Sequence, residues 1–160
     1  MTTRSLLLNV LVALIWLLLQ PAPSIAGLLF GFAIGFGLLA LFRPVLDSGD
    51  YVRRVLAGIW FGVVFTREFL LACLQLVRLI LFVPSERLRP AFLIFDISDL
   101  SRVEILLLSH VVTLTPGTST VDISADFKRL YLHVLDCPDP EAVRAEIERT
   151  LKRGILAFTR

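Results

Sequence analysis

The chain has 160 residues, of which 56% are hydrophobic and only 19% charged, against about 25% charged for an ordinary soluble domain. That composition argues against a cytosolic globule and against a disordered chain. Sixteen basic and fourteen acidic residues nearly cancel, so no large positive field is available to attract nucleic-acid phosphates.

The average conceals a division. Residues 1–83 carry six arginines, two aspartates and one glutamate, and residues 84–160 carry the other 21 charged side chains. The first part has room for two or three spans of about 20 residues each. The second part makes one small domain near the lower size limit for a self-sufficient core. Cys73 lies in an apolar run and Cys137 in the polar half. Their contexts suggest neither a disulfide framework nor zinc spacing.

The first apolar run, Leu6–Leu19, is interrupted by Asn9 and followed by the helix breaker Pro21-Ala22-Pro23-Ser24. A cleaved signal peptide is the competing reading of this run. The run is long for that role, and Gln20–Ser24 matches a small-x-small cleavage site poorly. The second run, Ile25–Phe42, has no charge. The two predict a helical hairpin over about 5–20 and 25–42. Arg4 precedes it, Arg43, Arg53 and Arg54 follow it, and its turn is uncharged. Both ends therefore belong on the cytoplasmic side.

A third helix is predicted over 52–83. Its second half contains Arg67, Glu68, Gln75 and Arg78, which fall near 0°, about 100°, 80° and 20° at helical spacing, all on one side. An ionised group at the bilayer centre costs about 2.5–3.5 kcal/mol on insertion scales, so this stripe should meet protein, water or headgroups. Either the helix spans with its stripe against a partner subunit, or it lies along the interface. An inside domain with a shallow or steeply tilted third helix is preferred; three spans with an outside N-terminus is the rival. Gly27, Gly31 and Gly35 form a small-residue ridge on the second helix, and Gly58 and Gly62 one on the third. Such ridges favour close helix packing in lipid, here expected against neighbouring subunits.

Residues 84–90 form a polar, proline-bounded linker. Ala91–Ile97 reads as a strand. Ser101 and Glu104 have capping-box spacing, placing a helix from about Asp99–Ser101 to Thr113. Its expected buried face is Val103, Leu106, Leu107, His110, Val111 and Leu114. Pro116-Gly117 stops it. Strands follow at Thr120–Ile123 and Leu130–Leu135, the latter with Leu130, Leu132 and Val134 on one face. Asp139-Pro140-Glu141 opens a last helix with an apolar stripe at Val143, Ile147, Leu151 and Ile155. Arg144–Glu148 and Glu148–Lys152 are expected as pairs on its exposed side. The fold class is thus a membrane α-helical half, with a helical hairpin and a long amphipathic third helix, followed by a small α+β domain of order β-α-β-β-α over 91–160. A right-handed crossover makes the first two strands parallel and the third antiparallel, with both helices on one face.

No catalytic constellation, phosphate loop or metal motif is present in the sequence. No catalytic, cofactor-binding or metal-ligating residue is assigned, and an enzyme is not expected. His110 and His133 read as structural histidines. Thr115-Pro116-Gly117-Thr118 could bind an anion, but it fits a helix stop better. Intramembrane ionisable groups are functional candidates by default, which singles out Arg67, Glu68 and Arg78. Adjacent Arg67 and Glu68 do not face each other on a helix, so each is expected to have its own partner.

Leu114-Thr115-Pro116-Gly117-Thr118-Ser119-Thr120-Val121-Asp122-Ile123-Ser124, followed by Leu130-Tyr131-Leu132-His133-Val134-Leu135-Asp136, resembles the E subunits of the Mrp/Mnh (Pha) type of multisubunit cation/proton antiporter. The resemblance covers essentially the whole chain. It implies a multi-pass protein of the bacterial inner membrane with a cytoplasmic C-terminal domain. Its implied partners are the bilayer and the other subunits of a complex exchanging Na+ or K+ for H+, with no cofactor and no nucleic acid. It marks Thr115, Pro116, Gly117, Thr118, Asp122, Tyr131 and His133 as structural motif positions and carries over no catalytic residue. An accessory role in assembly or stability is the expectation. A stand-alone membrane-anchored module recruiting a soluble cytoplasmic partner is the alternative.

Overall fold

A computed structural model describes residues 2–160. Helices α1 (Thr2–Leu18) and α2 (Ile25–Leu41) precede one helical turn, α3 (Arg43–Leu46), and the long α4 (Gly49–Phe82). A small α+β domain follows: β1 (Ala91–Asp96), α5 (Arg102–Leu114), β2 (Thr118–Ile123), β3 (Arg129–Val134), and a terminal helix of α6 (Pro140–Glu146), a π turn (Ile147–Lys152) and α7 (Arg153–Thr159). The chain divides into two compact units, residues 1–56 and 57–160.

In the first unit α1 and α2 pack together through small residues. Ser24 caps α2, its Oγ accepting from Gly27 N at 3.0 Å. A Cβ on Gly31 would lie 2.8 Å from Trp16 Cβ, and one on Gly35 would lie 2.2 Å from Asn9 Oδ1. The part of the ridge expected to meet neighbouring subunits is therefore filled by α1 of the same chain. Asn9 is fully buried and donates to Tyr51 Oη at 2.7 Å. This gives the amide nitrogen of the polar break an internal partner, which an apolar medium favours; the amide oxygen has none among the described residues. Apart from this seam the helices turn large apolar side chains outward, with Leu18 and Ile25 each 80% exposed.

In the second unit the sheet order is β1-β3-β2, with both pairings antiparallel. β1 and β2 run in the same direction, as a crossover requires, but β3 lies between them. It can do so because β2 and β3 are joined by a short turn, and the crossover leaves a gap one strand wide. Register pairs Leu93 with Leu132 and Phe95 with Leu130. The core is formed by Leu93, Phe95, Ile97, Leu130, Leu132 and Val134 of the sheet against Ile105, Leu108 and Val112 of α5 and Ile147, Leu151 and Ile155 of the terminal helix. Both helices lie on one face, as expected.

The face of α5 is a correction. Val103, Leu106 and Leu114 are exposed, as is His110, while Glu104, Ile105, Leu108, Ser109 and Val112 are buried. The helix carries two interleaved apolar stripes, and periodicity cannot choose between them. Glu104 decides. Its carboxylate completes the capping box with Ser101 N at 2.8 Å, and it also accepts from Thr159 Oγ1 at 2.7 Å and Arg160 Nη2 at 3.0 Å. That fixes the helix rotation.

The terminal stripe is buried as expected, but it repeats every four residues, overshooting a 3.6-residue turn by about 40° per step. The π turn absorbs this drift, since its wider turn brings positions four apart back into line. It also moves Lys152 inward. Rather than lying on the exposed side, Lys152 is buried and pairs with Asp99 at 2.9 Å and Glu148 at 3.2 Å. Arg144 pairs with Glu141 instead of Glu148, and its Nε donates to Ile94 O on the outer edge of β1 at 3.1 Å. On the other edge, Thr120 N of β2 donates to Thr113 Oγ1 of α5 at 3.1 Å. Both edges are thus partly closed to strand addition.

The hydrogen bonds to Arg160 hold the Glu104 carboxyl down at about 2, from an ordinary 4.5. A depressed carboxyl stabilises the fold above its unfolded value, and the contribution fades as pH falls from 4.5 towards 2. Thermal unfolding of the purified protein in detergent, followed against pH, should show this loss. Glu104→Gln should be less stable by about 1.5–3 kcal/mol near neutral pH and should lack that part of the acid dependence.

Candidate functional site

The second half of α4 belongs to the same compact unit as the small domain. Phe61 and Phe65 stack at 6.2 Å, Phe61 meets Phe158 at 5.5 Å, and both α4 rings pack against the sheet–helix core. A Cβ on Gly154 would stand 2.3 Å from the Phe61 ring. A Cβ on Gly58, one of the ridge residues, would lie 3.7 Å from Phe158 Cβ, whereas one on Gly62 would have nothing within 4 Å.

Below this aromatic contact a cavity of about 290 Å³ opens between α4 and the small domain. Glu68, Ala72, Gln75, Leu76 and Leu79 of α4 form one wall. The opposite walls come from Val112 and Thr115–Thr118 after α5, from Val134–Asp136 at the end of β3, and from Val143, Glu146, Ile147, Thr150 and Leu151 of the terminal helix. Two sets of residues singled out on unrelated grounds thus share one space: half of the polar stripe, and the Thr-Pro-Gly-Thr run.

The rest of the stripe points elsewhere. Arg67 and Arg78 are exposed and do not line the cavity. Arg67 Nη1 nevertheless reaches Glu68 Oε1 at 2.6 Å. This corrects the expectation of separate partners: the Cβ vectors diverge by a helical step, but the arginine is long enough to fold back.

The Thr-Pro-Gly-Thr run has the geometry of a helix stop. Thr115 N and Oγ1 both bond Val111 O, at 3.2 and 3.0 Å. Thr118 Oγ1 lies 2.7 Å from Val112 O and 2.9 Å from Thr115 O. Gly117 has φ +90°, a conformation open to glycine and strained for other residues, and its carbonyl accepts from Leu135 N at 2.8 Å. The hydroxyls an anion would use are directed at the last carbonyls of α5. Asp122, Tyr131 and His133 lie away from the cavity. Asp122 is paired with Tyr131 in register, across a bulge that sets Val121 out of the ladder. His133 contacts Phe92 edge-on at 5.2 Å on the sheet face opposite the helices.

The sequence reading missed Asp136 and Glu146. Asp136 is held by Arg89, whose backbone N–H donates to it at 3.2 Å and whose Nε lies 3.6 Å away. Glu146 pairs with no cation among the described residues. Asp136 closes the Leu130–Asp136 motif without being singled out there, and Glu146 had no signal beyond being a carboxylate on a polar stretch. Among the described residues no three His, Cys, Asp or Glu side chains cluster as metal ligands. The arrangement offers a largely apolar pocket whose lining includes three carboxylates, Glu68, Asp136 and Glu146.

A family model described as MNHE, Na+/H+ ion antiporter subunit, matches residues 9–158. The chain is 31% identical over 155 residues to the E subunit of the Na+/H+ antiporter of Alkalihalophilus pseudofirmus, covering 97% of this chain and 98% of that protein. It is 32% identical over 155 residues to the corresponding E subunit of Bacillus subtilis, with the same coverage. A chain in the solved structure of the membrane-bound sulfane sulfur reductase, an archaeal respiratory membrane complex, shares the fold at a TM-score of 0.57 and 22% identity, over 95% of this chain and 96% of that one.

The contact at Gly154 makes the cavity testable. Gly154→Val should displace Phe61 and destabilise the second unit by about 1–3 kcal/mol, with faster hydrogen exchange along residues 61–79. Gly58→Ala, which meets only ordinary van der Waals contact in a helix interior that favours alanine, should leave the unit no less stable and exchange along 61–79 no faster.

Proposed function

This chain belongs to the family of E subunits of Na+/H+ antiporters, and from that premise we propose that it is an accessory membrane subunit of a multisubunit cation/proton antiporter. In this reading it supports assembly or stability of the complex, and the main ion path, with its choice of Na+ or K+, lies on other chains. The observation that carries the reading is the extent of the family match, which runs through both the apolar helices and the small domain. The character of the described residues agrees with it: helices with outward apolar faces, and a single intramembrane carboxylate candidate, Glu68, already engaged by Arg67.

The C-terminal domain is proposed to lie on the cytoplasmic side of the bacterial inner membrane. Arg4 and Arg43, Arg53 and Arg54 support an inside position for both ends of the helical hairpin, since positive residues favour the cytoplasmic side. At 34 residues α4 is far longer than the roughly 20 needed to cross a bilayer. Its second half is occupied by the small domain along Phe61, Phe65 and the cavity wall. A strongly tilted or shallow α4 accommodates both facts.

Affinity purification of the tagged chain from its native membrane should recover several large hydrophobic subunits, and deletion of its gene should abolish cation/proton antiport in inverted vesicles. A chain that purifies alone, with antiport intact after deletion, would refute the assignment. It would favour a membrane-anchored module for a soluble partner.

Orientation is read separately by cysteine labelling. Exposed Ala145 is a better position than Asp139, whose carboxylate caps α6 by accepting from Glu141 N at 3.0 Å. With Cys73 and Cys137 replaced, Ala145→Cys should react with an impermeant reagent in inside-out vesicles and stay unlabelled in intact cells. The opposite pattern would place the domain outside.

A further inference from the structure

We propose that the cavity between α4 and the small domain is a phospholipid site, holding part of one acyl chain with an ammonium-bearing headgroup at its mouth. The proposal rests on the membrane reading above.

Three observations lead to it. First, the interior is lined by Leu76, Leu79, Val112, Val134, Val143 and Ile147. An apolar space of about 290 Å³ is at the lower limit for a small ligand. It suits a length of hydrocarbon and excludes a headgroup. Second, the α4 wall belongs to an apolar helix whose far side is also bare: Leu74, Val77 and Ile80 are all more than half exposed. In a membrane the fluid meeting that helix is acyl chain, so a cavity opening beside it fills from the bilayer.

Third, the charged residues of the lining are all acidic, and all three reach solvent. The lining residues include Glu68, Asp136 and Glu146 and no lysine, arginine or histidine. Glu68 and Asp136 are engaged by Arg67 and Arg89, whereas Glu146 is exposed and unpaired among the described residues. A headgroup with no cation would place its phosphate against Glu146, the one lining carboxylate without a paired cation among the described residues. An ethanolamine ammonium can pair with Glu146 while its phosphate stays in water.

The test uses the intact complex in native membranes. Photoactivatable phosphatidylethanolamine and phosphatidylglycerol, each with a diazirine mid-chain, are incorporated, and adducts are mapped by mass spectrometry. Ethanolamine lipid should label residues 72–79 and 143–151, in addition to the outer face of α2 at Leu29 and Phe30. Ala72→Phe, which fills the cavity, should lower labelling of 143–151 by about fivefold or more and leave α2 labelling unchanged. Glu146→Gln, on an exposed side chain that the fold does not need, should reduce the preference for ethanolamine over glycerol lipid by about twofold to fivefold. Labelled α2 with an unlabelled cavity would overturn the proposal while the membrane reading stands. So would a cavity cross-linked to a peptide of another subunit, or equal labelling by both lipids. Loss of α2 labelling as well would refute the membrane reading itself.

Discussion

Phe61 occupies the space that a side chain at residue 154 would need. Because Gly154 has none, the α4 ring approaches the terminal helix to within what would be 2.3 Å of a Cβ, and Phe65 and Phe158 close around it. Aromatic rings bury large areas and gain further from tilted or edge contacts. A three-stranded sheet covered by two short helices is a small core. With Phe61 and Phe65 added, the second half of α4 becomes a structural part of that core, and the cavity exists because this contact holds the helix beside the domain without filling the space along Glu68–Leu79.

In the second unit the buried charged groups are satisfied from within the chain. Glu104 binds Ser101, Thr159 and Arg160, and Lys152 binds Asp99 and Glu148. These contacts tie the end of the chain to the start of α5 and so fix how the two covering helices are rotated. In the first unit Asn9 Nδ2 donates to Tyr51 Oη while its Oδ1 has no hydrogen-bond partner among the described residues, and Ser48 Oγ donates to Leu39 O at 2.6 Å. For a component of an antiporter this leaves little ionisable material free inside the fold. That is consistent with a supporting role, and it directs attention to surfaces and to the cavity mouth.

Parts of the candidate site were legible beforehand and their convergence was not. Glu68 and Gln75 stand out as polar residues in an apolar helix, and Thr115–Thr118 as a turn signal. About forty residues of chain separate the two sets, and no local pattern states that they share a cavity. Glu146 carried no signal, because a lone carboxylate near a helix looks like any solvated side chain, and Asp136 stood at the end of a strand motif that says nothing of a cavity. The Arg67–Glu68 contact contradicts a rule based on Cβ directions, since three flexible methylenes separate the guanidinium from the helix.

The sequence by itself determined what depends on neighbours along the chain. Charge depletion and the Pro21–Ser24 break specify a helical hairpin, Ser101 with Glu104 and Asp139 with Pro140 specify where helices start, and alternation specifies the buried side of β3. Tertiary structure alone decided which of two apolar stripes α5 buries, that β3 lies between β1 and β2, and that Lys152 turns inward. In each case the local energies of the alternatives are nearly equal. The choice falls to contacts between residues far apart in sequence: Arg160 with Glu104, Leu93 with Leu132, and Asp99 with Lys152.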